Sequence, residues 1–196
     1  MTPLSPGRTR VLLRWLERAL LVTGASLAVW CAVVLAEAHY YSVLPIPAPV
    51  PADAPARPHV VSPGGWVARL DAPTVQLSAT VLEGTDEATL RRASGHIEDT
   101  ALPGDPGNFG IAGHRDTTFR PVRLLHEGDP LVVTTSDAVY QYRIVSTRIV
   151  NPDDVYVLDP TPHPTLTLVT CYPFEFIGHA PQRFIIHADL VGTEKR

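Results

Sequence analysis

The sequence predicts an all-β domain, either a sandwich or a closed barrel, carried behind one N-terminal helix long enough to cross a membrane. Three observations predict this. From Trp66 onward, short apolar segments are broken by Gly, Pro and Asp, which is the pattern of short strands joined by turns. Residues 19–36 hold no charged side chain, and a spanning helix needs about 17–25 mostly apolar residues. Between the two, residues 45–65 contain seven prolines, a composition that favours extended polyproline II over packed structure.

Taken in order, residues 1–18 form a basic N-terminus, with Arg8, Arg10, Arg14 and Arg18 against Glu17 alone. Residues 19–41 are the membrane helix, with Thr23 and Ser26 able to return their hydroxyls to the helix backbone. The excess of Arg before the helix places the N-terminus in the cytoplasm and the rest outside. Trp15, Tyr40 and Tyr41 sit where interfacial aromatic side chains are expected. Ala36-Glu37-Ala38 fits a small-x-small cleavage pattern, but the apolar run exceeds a signal h-region of roughly 7–15 residues. An uncleaved anchor is therefore the expectation, and either reading exports the rest of the chain. Residues 42–65 read as a proline-rich stalk.

Residues 66–193 read as one folded domain, large enough to bury its own core. Strands are expected at Trp66–Leu70, Val75–Leu82, Asn108–Ala112, Leu131–Thr135, Val139–Val150, Thr165–Cys171 and Arg183–Leu190, with a hairpin turn at Ser136-Asp137-Ala138. Two short helices are expected. Thr85 would cap Asp86–Ala93, with Gly95 past its end. Thr117–Leu125 would carry Pro121 in its first turn.

The formal net charge is -4, which argues against a nucleic-acid partner. The two cysteines are Cys31 and Cys171. Cys31 falls in the membrane helix, so Cys171 has no intramolecular disulfide partner in the exported domain. An unpaired thiol outside the cell is either buried and inert or used. Cys171 ends an apolar strand and is followed by Tyr172-Pro173, where strand pairing must stop. That places it at the rim of a sheet, where functional side chains are presented.

A thiol reacts as its thiolate, and a neighbouring imidazole or cation raises that fraction. Of the seven histidines in the exported part, His114 has the most suggestive context, GIAGHRDTTFR: a short apolar strand, then Gly113, then a polar turn in which Asp116 could orient a neighbouring group. Arg183 opens the last strand, and a guanidinium can stabilise an oxyanion or bind a carboxylate. Two ligands, His114 and Cys171, are too few for a structural zinc site. Glu98, Asp99 and Asp105 read as a solvated loop, so neither a metal nor any other cofactor is expected.

Together the strings GIAGHRDTTFRPVRLL, TLTLVTCYPF and APQRFIIHADL resemble the sortase family, and most of all its class D members. The resemblance runs from about Trp66 to Val191. It implies a closed eight-stranded β-barrel with the Cys and the Arg on neighbouring strands. It further implies a cysteine transpeptidase that cleaves an LPxTG-like sorting signal on surface proteins and passes the acyl group from a thioester to an amine, or to water. Carried over by motif, the nucleophile is Cys171, the acid/base is His114 and the oxyanion partner is Arg183. Thr170, Tyr172 and Pro173 would contribute to substrate binding.

Rival readings are separable. A papain-like peptidase places its Cys before its His, whereas His114 comes first. An L,D-transpeptidase holds its His and Cys close together in sequence, and Cys171 lacks that context. The non-enzyme alternative is a membrane-tethered binding domain with Cys171 buried.

Overall fold

The computed structural model describes residues 6–49, 61–176 and 178–196. The chain divides into two compact units, Met1–Tyr40 and Tyr41–Arg196. Helix α1 runs over Pro6–Ser42. At 37 residues and about 1.5 Å per residue it exceeds the roughly 30 Å of a bilayer's hydrocarbon. Leu20, Val22, Trp30 and Leu35 are exposed along it. It is long and apolar enough to cross a membrane. Of the proline-rich stretch expected to form a stalk, residues 50–60 lie outside the described residues.

The second unit is a closed barrel of eight strands: β1 Trp66–Ala72, β2 Leu77–Glu83, β3 Ser94–His96, β4 Asn108–Ala112, β5 Pro130–Thr134, β6 Ala138–Val150, β7 Thr165–Tyr172 and β8 Gln182–Lys195. Around the barrel the order is β1-β2-β3-β4-β7-β8-β6-β5, and β5 pairs back onto β1. Two pairs are parallel, β2 with β3 and β4 with β7. A parallel neighbour needs a crossover. Between β2 and β3 this is the short helix α2, Glu87–Arg92.

The interior is filled by alternate residues of the strands, as a two-residue side-chain period requires. Leu70, Phe109, Ile111, Leu131, Tyr142, Leu166, Leu168 and Ile186 are all buried in one cluster. A second, smaller cluster lies outside the barrel wall. There Val150 and Ile185 pack with Val157 from a 3-10 turn, Val155–Leu158, and Leu158 and Val169 join them. Strand β7 is thus covered on both faces. Leu166 and Leu168 face in, while Val169 faces out under the 155–158 turn.

The expected strands are all present, several longer by a few residues, but Val75, expected to open a strand, ends a 3-10 turn, Pro73–Val75, and β2 begins only at Leu77 after Gln76 at φ 54°. The structure differs in three further places. The helix cap is Asp86, not Thr85: its carboxylate accepts from the amides of Ala88 and Thr89 and from the Thr89 hydroxyl. Those bonds, led by the Thr89 hydroxyl, hold the Asp86 carboxyl below its ordinary value. Gly95 is not a helix-ending residue but the centre of β3, where a Cβ would come within 2.2 Å of the Gly84 carbonyl oxygen. The expected 117–125 helix is a 3-10 turn, Arg120–Leu124, with Pro121 at its start. Proline lacks an amide proton and fits only a first turn.

Leu168 is fully buried against both neighbouring strands' inward residues. Leu168→Ala is expected to lower stability by about 2–5 kcal/mol. Urea unfolding followed by tryptophan fluorescence checks this; a loss under about 1 kcal/mol would show that the barrel interior collapses around the void.

Candidate active site

Strand β7 lies between β4 and β8, and its C-terminal end brings the sequence-predicted residues to one rim. Cys171 pairs directly with Arg183 across the antiparallel β7–β8 ladder. Side chains at such directly opposed positions share a face, with Cβ atoms about 4.5–5.5 Å apart. Val169 and Ile185 are the next pair down on that face, so the Cys171–Arg183 pair stands above the outer apolar cluster. Cys171 is half-buried and Arg183 likewise. The Arg183 guanidinium donates to the carbonyls of Gln182 (3.0 Å) and Ala180 (3.3 Å), which fixes it to the loop that precedes β8.

His114 reaches the same rim from the other side. The parallel β4–β7 register ends at Ala112 with Val169. It is extended by the Gly113 amide, which donates to the Val169 carbonyl at 3.1 Å. The buried Thr170 hydroxyl donates to the Gly113 carbonyl at 2.7 Å. Two further residues along each strand bring the count to His114 and Cys171. The turn that begins at His114 closes when its carbonyl accepts from the Phe119 amide at 2.9 Å. Phe119 then lies directly on Gly113, where a Cβ would come within 2.6 Å of the ring. Only a glycine allows that approach. His114 itself is exposed.

The three residues expected to bind substrate take different places. Thr170 points to the opposite face of β7 from Cys171, as alternation demands, and spends its hydroxyl on Gly113. Tyr172 stacks on Phe184 (ring centroids 6.5 Å apart) and meets Phe174 edge-on (6.1 Å). Pro173 follows through a cis peptide bond and leads into the loop that joins β7 to β8. Among the described residues no group of three or more His, Cys, Asp or Glu is placed to hold a metal ion.

Sequence reasoning passed over the residues that fasten the 155–158 turn to the wall beside Cys171. Asn108 is buried, and its amide donates to the carbonyls of Val157 (3.0 Å) and Asp159 (3.4 Å). Its oxygen accepts from the Thr167 hydroxyl at 2.6 Å. Thr167 also lies 2.9 Å from His187 Nδ1. With its single proton given to Asn108, the hydroxyl accepts there, so Nδ1 carries the proton. Burial lowers the His187 pKa from its ordinary value, Arg148 lowers it further and Asp189 opposes them. An Asn that opens a strand carries no special signal in sequence; its bond partners lie 49 and 59 residues away.

The sortase domain profile matches residues 70–191, more than half of the chain. Sortase D of Bacillus subtilis is 37% identical over 123 residues, 62% of this chain and 62% of that protein. The chain therefore spans less than two thirds of that relative's length. In structure the barrel is similar to a Clostridium perfringens sortase D5 transpeptidase, with TM-score 0.62, 33% identity, and coverage of 68% of this chain and 83% of that one. It is also similar to sortase E1 of Streptomyces coelicolor with a tripeptide in the active site: TM-score 0.60, 32% identity, coverage 70% and 94%. The chain belongs to the sortase family, a family of cysteine transpeptidases. Within that family its likeness is to class D proteins, as the His114 and Cys171 strings imply, and to class E proteins as well.

The chain of bonds from Asn108 through Thr167 to His187 can be tested at both ends. Asn108→Ala leaves two carbonyls and a hydroxyl without their partner, which costs about 1–3 kcal/mol. Amide exchange should rise across residues 153–160 and stay unchanged in β1 and β5; unchanged exchange at the turn would show that apolar packing alone holds it. For His187, a folded pKa below the unfolded one means the unfolded chain binds more protons. Its contribution is therefore present above the ordinary imidazole value of about 6.5 and is lost as pH falls below it. The melting temperature should drop less between about pH 8 and 5.5 in His187→Gln than in the parent, and equal drops would remove His187 from the pH response.

Proposed function

We propose that this chain is a membrane-anchored cysteine transpeptidase that cleaves an LPxTG-like sorting signal on surface proteins and transfers the acyl group to an amine. The single observation that carries the reading is the register that pairs Cys171 with Arg183 at the rim to which β4 delivers His114.

In this mechanism the Cys171 thiolate attacks the carbonyl carbon of the scissile Thr–Gly bond. Negative charge develops on the carbonyl oxygen, and the Arg183 guanidinium stabilises it. The C–N bond breaks as the His114 imidazolium gives its proton to the leaving amine. The product is a thioester on Cys171. An incoming amine then attacks the thioester carbon, His114 takes the amine proton, and the C–S bond breaks to return the thiolate. Water in place of the amine gives hydrolysis. Thr170 acts through Gly113, by holding the strand end that presents His114. The apolar residues Val157, Leu158 and Val169 support the wall on which the sorting signal lies. Helix α1 anchors the enzyme, and the arginines before its apolar run place the N-terminus in the cytoplasm and the barrel outside.

Incubation with a peptide carrying an LPxTG sequence should add the mass of the acyl fragment to Cys171, seen after rapid acid quench. Cys171→Ala should show none. Arg183→Ala should lower the acylation rate about 10²–10³-fold. An adduct that persists in Cys171→Ala, or acylation unaffected in Arg183→Ala, would reject the corresponding assignment.

A further inference from the structure

We infer that the hollow lined by Arg115 and Asp116, the two residues that follow His114 in the chain, is the acceptor subsite, and that the acceptor it selects is an amine bearing an anionic oxygen group. The inference rests on the transpeptidase reading above.

Chemistry decides which side of the rim the acceptor must use. Acyl transfer to an amine is the reverse of amide cleavage, so the incoming amine takes the path by which the leaving amine departed. One group, His114, gives the proton in the first direction and takes it in the second. Whatever is bonded to the acceptor nitrogen therefore lies next to His114, away from the wall formed by the 155–158 turn.

The turn that His114 opens continues into a cationic hollow. Arg115, Arg120 and Arg123, all within nine residues of His114, line one hollow together with Phe174 and Phe176 of the loop after Cys171. Asp116 and Glu175 also line it. Three guanidinium groups against two carboxylates leave it net positive. Glu175 is already engaged by the Arg123 Nη1. Arg115 organises the hollow: its Nη2 donates to the carbonyls of Phe176 (2.5 Å) and Gly178 (3.0 Å), and its guanidinium lies 5.9 Å from the Phe176 ring centroid. Its buried Nη1 has no acceptor among the described residues. Arg120 lines the hollow and is exposed to solvent. Guanidinium groups present planar forks that suit a carboxylate or a phosphate. The ring faces accept the short carbon chain that would join such a group to the reacting nitrogen.

In the transfer step the amine nitrogen bonds to the thioester carbon, the C–S bond breaks, sulfur leaves as thiolate and the nitrogen's proton passes to His114. The anion takes no part in the bond changes; it holds the amine in place while they occur.

The test uses the full chain in detergent and an acyl-enzyme formed from an LPxTG peptide. Each acceptor is scored by the ratio of transfer product to hydrolysis product, which is independent of how fast the acyl-enzyme forms. Glycine, β-alanine and 4-aminobutyrate are compared with their amides, and aminoethyl phosphate with ethanolamine. The acid should exceed its neutral match by about tenfold in at least one pair, an effect of the size expected of a charge-assisted contact. The pair that responds distinguishes carboxylate from phosphate. The preference should shrink as salt rises from about 50 to 500 mM, fall toward unity in Arg120→Gln and return in part in Arg120→Lys. Equal ratios for acid and neutral acceptors in every pair would overturn the inference and leave the transpeptidase reading intact. So would a preference that Arg120→Gln does not change. Failure to form any acyl-enzyme would overturn both.

Discussion

The backbone pairing of β7 with β4 on one side and β8 on the other is the constraint on which the rest depends. Hydrogen bonds in one parallel and one antiparallel ladder set where three distant stretches of chain end relative to one another. Cys171 is the last outward residue of β7 before Pro173, and Arg183 is opposite it because the loop between them closes at that register. A slip of one residue would turn each side chain to the other face. Thr170 and Gly113 guard against such a slip on the β4 side, since the Thr170 hydroxyl reaches the Gly113 carbonyl only in this register.

The outer face of β7 runs from polar side chains through an apolar one to the free thiol. Thr165 and Thr167 are tied into side-chain hydrogen bonds, Val169 enters the outer apolar cluster, and Cys171 stands at the end. Asn108 satisfies two carbonyls of the turn that covers this face. Those carbonyls would otherwise be costly to bury. The turn thereby becomes a fixed cover over Val169 and Ile185, the pair below Cys171 and Arg183. On the opposite side of the rim, Arg115 does the equivalent for the loop after Cys171 through the carbonyls of Phe176 and Gly178.

Much of this was legible in the sequence, for physical reasons. The long strands announce themselves by alternation, as in the TLTL that opens β7, where Thr165 and Thr167 face out and Leu166 and Leu168 face in; the pattern ends there, since Val169 faces out and Thr170 in. The helix α1 is legible from an uncharged run. The strings around His114, Cys171 and Arg183 point to one chemistry because a nucleophile, an acid and a cation are needed together. The parts that were not legible depend on partners far along the chain. Strand β3 is three residues, Ser94-Gly95-His96, too short to show alternation, and exists because Gly95 lets it approach Gly84. The turn at Arg120–Leu124 reads as a helix until Phe119 is seen to cover Gly113. Asn108, Arg115 and Arg120 look like ordinary polar residues of strand ends and turns; only the fold sets Asn108 under the 155–158 turn and brings Arg115 and Arg120 together with the loop after Cys171.

In the proposed mechanism, the order of the pieces along the chain also governs when the thiol becomes competent. His114 lies near the middle of the polypeptide, whereas Cys171 and Arg183 belong to its last two strands, and β8 is zipped along nearly its whole length to β6 as well as to β7. Such non-local pairing is the slow part of assembling a β topology. A chain whose final segment has not yet docked has a cysteine but no arginine opposite it. Under the proposed roles of Cys171 and Arg183, reactivity is thereby coupled to completion of the barrel, because the pair exists only once β8 has docked on β7.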